Sequence, residues 1–142
     1  MAKSTLRLQA ELGERFHTQV SGAYPFVIDQ PKPMGMGAGP NPLDVFLSSL
    51  GACICAIGRI IAQQEKLPLR GLKVSLEGDI DKDYLMGQTR EGRAGFTEVR
   101  TRIEVDADMS QAEKEAFVAR IAERCPIADN MVNGTKIAHV IA

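Results

Sequence analysis

The chain has 142 residues, 44% of them hydrophobic, with 17 basic against 18 acidic side chains and a net charge of −1. That length suits one domain, residues 1–142, and the near-neutral balance gives no electrostatic reason to expect nucleic acid or an anionic membrane as partner. There is no Trp, with two Tyr and five Phe, so the core must be aliphatic, and three cysteines are too few, and odd in number, for a disulfide scaffold.

The N-terminus, Met1-Ala2-Lys3-Ser4-Thr5-Leu6, has no apolar stretch of the secretory type, so a cytoplasmic protein is expected. Residues 4–30 read as short strands. Leu6, Leu8 and Ala10 alternate with polar residues, Phe16, Thr18 and Val20 do so less cleanly, and Gly13-Glu14 looks like a turn between them. Another short strand is expected at 24–28. Residues 31–41 hold three prolines and three glycines in eleven positions, which excludes a helix or a central strand.

A helix should follow at once. Asn41 is a good N-cap and Pro42 suits the first helical position, where the missing N–H costs nothing. The pattern predicts a helix from 42 to about 66, ending before Pro68. Between 43 and 62 its polar side chains are Asp44, Ser48, Ser49 and Arg59, besides two cysteines. Gly58 and Arg59 interrupt the apolar run of 50–62, so it does not read as a membrane span. A helix apolar nearly all round must be buried on most faces, and one small domain can hardly wrap a rod of about 35 Å. A second copy packing against it would solve the problem, so a homodimer is expected.

Residues 72–78 and 98–105 alternate strictly and predict half-buried strands, joined by a polar, glycine-containing connection at 81–95 that should be mobile. Ser110 and Glu113 form a capping-box pattern that opens a second helix, with Phe117, Val118, Ile121 and Cys125 on its apolar side. Pro126 disfavours helical geometry at Cys125 and suits the first position of a new helix, 126–133, closed by Gly134. Cys125 would then be its N-cap. An apolar strand is expected at 137–141. The order of strands, long helix, strands, helices and strand predicts an α+β fold.

Each cysteine alone reads first as a small core side chain. Cys125 has a local reason to be more, because an N-cap position offers backbone N–H groups and the positive end of a helix dipole to a thiolate. Cys53 lies too deep in the long helix to use that helix's own terminus. Cys55 precedes Arg59 by four residues and shares its helix face, so local sequence alone favours Cys55 over Cys53. Cys53 and Cys55 point about 200° apart on a helix, and His17 and His139 have no zinc-type spacing, so a metal site is not indicated. There is no P-loop, dinucleotide fingerprint or nucleophile-elbow motif.

Two segments resemble the OsmC/Ohr family of osmotically inducible and organic hydroperoxide resistance proteins. The first is Gly39-Pro40-Asn41-Pro42-Leu43-Asp44 leading to Leu50-Gly51-Ala52-Cys53, and the second is Arg124-Cys125-Pro126-Ile127-Ala128. The resemblance implies antiparallel sheets around long buried central helices in an intertwined homodimer. It implies a peroxidatic role for Cys53 and a resolving role for Cys125, and gives Cys55 no required part. The implied activity is reduction of organic hydroperoxides through a Cys53 sulfenic acid and a disulfide with Cys125, reset by a dithiol, lipoyl-linked or otherwise, with no cofactor or metal.

The family pattern also calls for an activating Arg from the N-terminal strands, and Arg15 is the candidate. The hydroperoxide-resistance branch has Glu directly after the Asn-Pro, where this chain has Leu43. The nearest acid, Asp44, would lie about 180° around the helix from Cys53 and about 13 Å along it, so it reads first as a helix-terminal charge. Two further readings stay open: a non-enzymatic module that binds a small apolar ligand at the dimer interface or senses redox state, and a reactive centre at Cys55 with Arg59.

Overall fold

The structure, a computed structural model, describes residues 2–142. Its contacts divide into two compact units, Met1–Phe46 and Leu47–Ala142.

In the first unit, β1 (Gln9–Leu12), β2 (Thr18–Ser21) and β3 (Phe26–Ile28) form an antiparallel meander. Ala10 pairs with Val20, and Val20 with Phe26. The turn expected at Gly13-Glu14 closes with the Gly13 N–H on the His17 carbonyl at 2.8 Å. Arg15 sits in this turn at φ 55°, a left-handed conformation uncommon for a side chain of its size. The expected strand from Leu6 does not form. β1 starts at Gln9, and Leu6 and Leu8 are 92% and 72% exposed. Alternation marks a face, but a strand forms only where an edge accepts its hydrogen bonds.

The Pro/Gly-rich segment after β3 is a folded loop held by its own backbone. Gly35 N–H bonds to Pro31 O at 3.0 Å, Gly37 N–H to Gln30 O at 3.1 Å, and Asp29 N–H to Pro40 O at 3.0 Å. A Cβ at Gly39 would overlap the Val27 carbonyl, and one at Gly35 the Gln30 carbonyl and the Asp29 carboxylate. These two glycines let the loop lie directly against β3.

α1 (Pro42–Glu65) begins as expected. The Asn41 side-chain oxygen accepts from the Leu43 and Asp44 N–H groups, each at 2.9 Å. In the second unit, β4 (Leu69–Ile80) and β5 (Phe96–Ala107) form a long antiparallel pair with Val74 opposite Ile103. Both strands extend beyond their predicted limits. The connection between them includes a single helical turn, α2 (Lys82–Leu85), capped by Asp81. α3 (Gln111–Arg124) carries the expected capping box between Ser110 and Glu113. α4 (Pro126–Asn133) follows directly and ends at Gly134, φ 67°.

The core of this unit joins Leu50, Ile54, Ile61 and Ala62 of α1 to Leu69 and Ala107 of the sheet and to Phe117, Ile121 and Cys125. Ile61 and Phe117 are fully buried, and removing each from water contributes about 2–3 kcal/mol. Gly58 permits the close approach of α1, because a Cβ there would overlap Leu72 and come within 3.1 Å of Ile121.

One expectation fails here. Residues 137–141 form no strand, and Ile137, Val140 and Ile141 are 75%, 92% and 98% exposed. As with Leu6, the pattern supplies a face but no edge. Within the single chain, α1 is buried along one face. By length and composition alone it would suffice to cross a membrane, a test that the core helix of a globular protein also passes, and 33% of its apolar window is buried. Leu50, Gly51, Ile54, Gly58, Ile61 and Ala62 face the core, while Ala52, Ala56 and Ile60 stay exposed on another face. The two strands and α3 can cover one side of a helix, not its whole circumference.

Candidate functional site

Cys125 closes α3 and opens α4. Its backbone is extended (φ −80°, ψ 107°), as the residue before a proline prefers, so one helix stops and the next starts across a single residue. The thiol is the expected N-cap, and the Ala128 N–H points at its sulfur at 3.4 Å. Burial is nearly complete, at 1% exposure.

Cys53 comes from the middle of α1 and is half-buried. Its sulfur lies 2.9 Å from that of Cys125, with the Cys125 S–H as donor. Both are free thiols. The separation is under an ångström more than a disulfide bond, about 2.05 Å.

α4 reaches both sulfurs. The Ala128 N–H faces Cys125, and the Ile127 N–H favours the charged form of Cys53. Sequence reasoning found no activator for Cys53 within α1, and the resemblance offered Arg15. The donor comes from another helix start, and the Cys125-Pro126 signal for that start was already legible. Burial, and next the hydrogen bond with Cys125, push the Cys53 thiol above its ordinary pKa, while the Ile127 N–H pulls it down. Two negative sulfurs at 2.9 Å would repel, so this pair gives up a first proton more readily than a second.

The other candidates lie elsewhere. Arg15 is in the first unit, where its Nη2 donates to Pro33 O at 2.5 Å and Met34 O at 2.8 Å. Asp44 is in the first turn of α1, and its carboxylate accepts from the Asn41 N–H at 3.3 Å. That reciprocal contact with Asn41 is the helix-terminal arrangement. Arg59 donates to the carbonyls of Leu69 at 3.1 Å and Arg70 at 3.3 Å, so its guanidinium is tied to the start of β4 and not dedicated to Cys55. The structure brings together two of the four predicted site residues, Cys53 and Cys125, each within the second unit.

A mixed α+β chain with paired thiols at a helix start is a narrow class of protein, and comparison with known proteins defines it further. A family model described as OsmC-like protein matches residues 35–140. The chain belongs to the OsmC-like family. A protein of Mycoplasma pneumoniae (strain ATCC 29342 / M129 / Subtype 1) named hydroperoxide reductase is 26% identical over 117 residues, covering 82% of this chain and 78% of that one. The crystal structure of an OsmC-like protein from Mycoplasma pneumoniae has a TM-score of 0.80 at 22% identity, covering 95% of this chain and 94% of that one. An organic hydroperoxide resistance protein OsmC from Legionella pneumophila gives 0.69 at 24% identity, covering 94% and 93%. At these identities the structural likenesses carry the fold.

Proposed function

We propose that this chain is a thiol-dependent peroxidase that reduces organic hydroperoxides. The observation that carries the reading is the 2.9 Å contact between the Cys53 and Cys125 sulfurs at the N-terminus of α4. The Mycoplasma pneumoniae relative named hydroperoxide reductase supports it.

Cys53 is the more accessible sulfur, so it meets the peroxide. Its thiolate attacks the outer oxygen of ROOH, the O–O bond breaks, and the alkoxide takes a proton to leave as ROH. Cys53 becomes a sulfenic acid. The Cys125 sulfur then attacks the Cys53 sulfur, the S–O bond breaks, and water leaves as the disulfide forms. A dithiol reductant gives two electrons and two protons to restore both thiols and is itself oxidised to its disulfide. The Ile127 N–H stabilises charge on Cys53 during the first step. In this reading Arg15, the candidate for the family's activating Arg, is the cation that favours the Cys53 thiolate. Asp44, in contact with Asn41, supports α1.

The working form in this reading is a cytoplasmic homodimer. The exposed face of Ala52, Ala56 and Ile60 on an apolar helix supports a second copy as its cover. The test is consumption of cumene hydroperoxide with dithiothreitol as reductant. Consumption no faster than that of Cys53→Ser would sink the reading.

Two observations favour a slower alternative, a redox sensor or a non-enzymatic ligand-binding module: burial raises the Cys53 thiol, and Leu43 stands where the hydroperoxide-resistance branch has Glu. Stoichiometric oxidation without turnover under excess dithiol would select the sensor, and an inert Cys53 with a ligand retained through purification the binding module.

A further inference from the structure

Asp29 is 1% exposed, and none of the chemistry above uses it. A buried carboxylate is costly unless it is fully hydrogen-bonded. Here Oδ1 accepts from the Gln30 N–H at 2.7 Å, and Oδ2 from the N–H groups of Met36 and Ala38, each at 3.1 Å. With Gly35 bonded to Pro31 and Gly37 to Gln30, every N–H from 35 to 38 is directed into the loop itself. These four amides are therefore not free to cradle an outside anion. The loop's negative centre is built in.

The same loop offers carbonyls on its other side. Those of Pro33 and Met34 both hold Nη2 of Arg15. Among the described residues, Nη1 and Nε of Arg15 make no hydrogen bond, and no ion pair joins Arg15 to Asp29. The loop backbone is the link. Asp29 fixes residues 30, 36 and 38, the turn between them presents two carbonyls, and those carbonyls orient one edge of the guanidinium while leaving the other for an anion.

We propose that Asp29 is a positioning residue for Arg15, acting through the backbone of residues 30–38. The consequence for thiol chemistry rests on the reading of Arg15 given above.

The full-length chain is compared with Asp29→Asn, Gly35→Ala, Arg15→Met and the Asp29→Asn/Arg15→Met double variant. Gly35→Ala attacks the same hub from the loop side, since its Cβ would overlap the Asp29 carboxylate. The direct readout is the Arg15 Nη–H signal in 1H–15N spectra, resolved when hydrogen bonding slows rotation of the guanidinium. It should be present in the parent and lost in Asp29→Asn and Gly35→Ala, while the backbone signals of β4 and β5 persist. A retained Arg15 signal in Asp29→Asn overturns the proposal.

The second readout is the pH midpoint of Cys53 alkylation by iodoacetamide. Arg15→Met and Asp29→Asn should each raise it by about one unit, and the double variant should raise it no further. Additive shifts overturn the proposal. If Arg15→Met leaves the midpoint unmoved, the activating role of Arg15 fails, and the guanidinium signal decides the positioning role by itself.

Discussion

The sulfur of Cys125 accepts the N–H of Ala128 in the first turn of α4 while lying 2.9 Å from the sulfur of Cys53. One side chain thus caps a helix and touches a second thiol. Chemistry and helix stability meet at the same atom, and the predictions below separate them.

Mild treatment with an organic hydroperoxide should consume two of the three thiols and link Cys53 to Cys125. Peptide mapping by mass spectrometry should find that disulfide with Cys55 still reduced. Oxidation concentrated on Cys55 would move the reactive centre to the other face of α1.

Cys125→Ala should destabilise the reduced protein by about 1 kcal/mol through loss of the cap alone, with more from the small cavity. Cys125→Ser keeps an acceptor for Ala128 and should recover most of the capping part. Urea denaturation of the two variants measures the difference, and equal midpoints would remove the capping role.

Forming the Cys53–Cys125 bond would close a loop of 72 residues. Restricting the unfolded chain in this way should stabilise the oxidised protein by about 4 kcal/mol. Urea midpoints with and without reductant check this, and no gain on oxidation would contradict it.

Gly58→Ala should destabilise despite alanine's better helix propensity. The new methyl overlaps Leu72 and crowds Ile121, and overpacking of this kind costs about 1–3 kcal/mol against a propensity gain of about 1. Thermal melting followed by circular dichroism should show a lower Tm.

Burial alone would raise the Asp29 carboxyl, but the N–H groups of Ala38, Gln30 and Met36 outweigh it and hold its pKa below the ordinary 3.8. A depressed carboxyl contributes stability that is present above its unfolded pKa and lost as pH falls through the folded one. The Asp29 contribution should therefore be intact at neutral pH and fade below 3.8. Asp29→Asn should show a smaller loss of urea resistance between neutral and strongly acid pH than the parent. Asp79, beside Arg100, and Glu113, in its capping box, titrate in the same direction and remain in both proteins.

Much of this arrangement was legible in the chain. Asn41-Pro42, Ser110 with Glu113, and Cys125-Pro126 are local signals, each satisfied by the residues next to it, and all three helix starts fall where they predict. The failures share a cause. Leu6, Leu8 and residues 137–141 carry a strand pattern, but whether a strand forms depends on a partner edge that no local pattern records. The donor at Cys53 was missed because Ile127 is far away in sequence, and only the fold of the second unit brings it near. Asp29 gave no signal, since an aspartate before a Pro/Gly loop reads as an ordinary exposed turn residue.

The shared position of Cys125 carries one more consequence. As last residue of α3 and first of α4 it works like a pin through a joint. Any event that claims its sulfur, whether bonding, alkylation or oxidation, also changes how firmly two rods are fastened end to end. A reagent aimed at the thiol would thus act as a mechanical probe, and a change in the angle between α3 and α4 would report the state of the sulfur without any substrate being turned over.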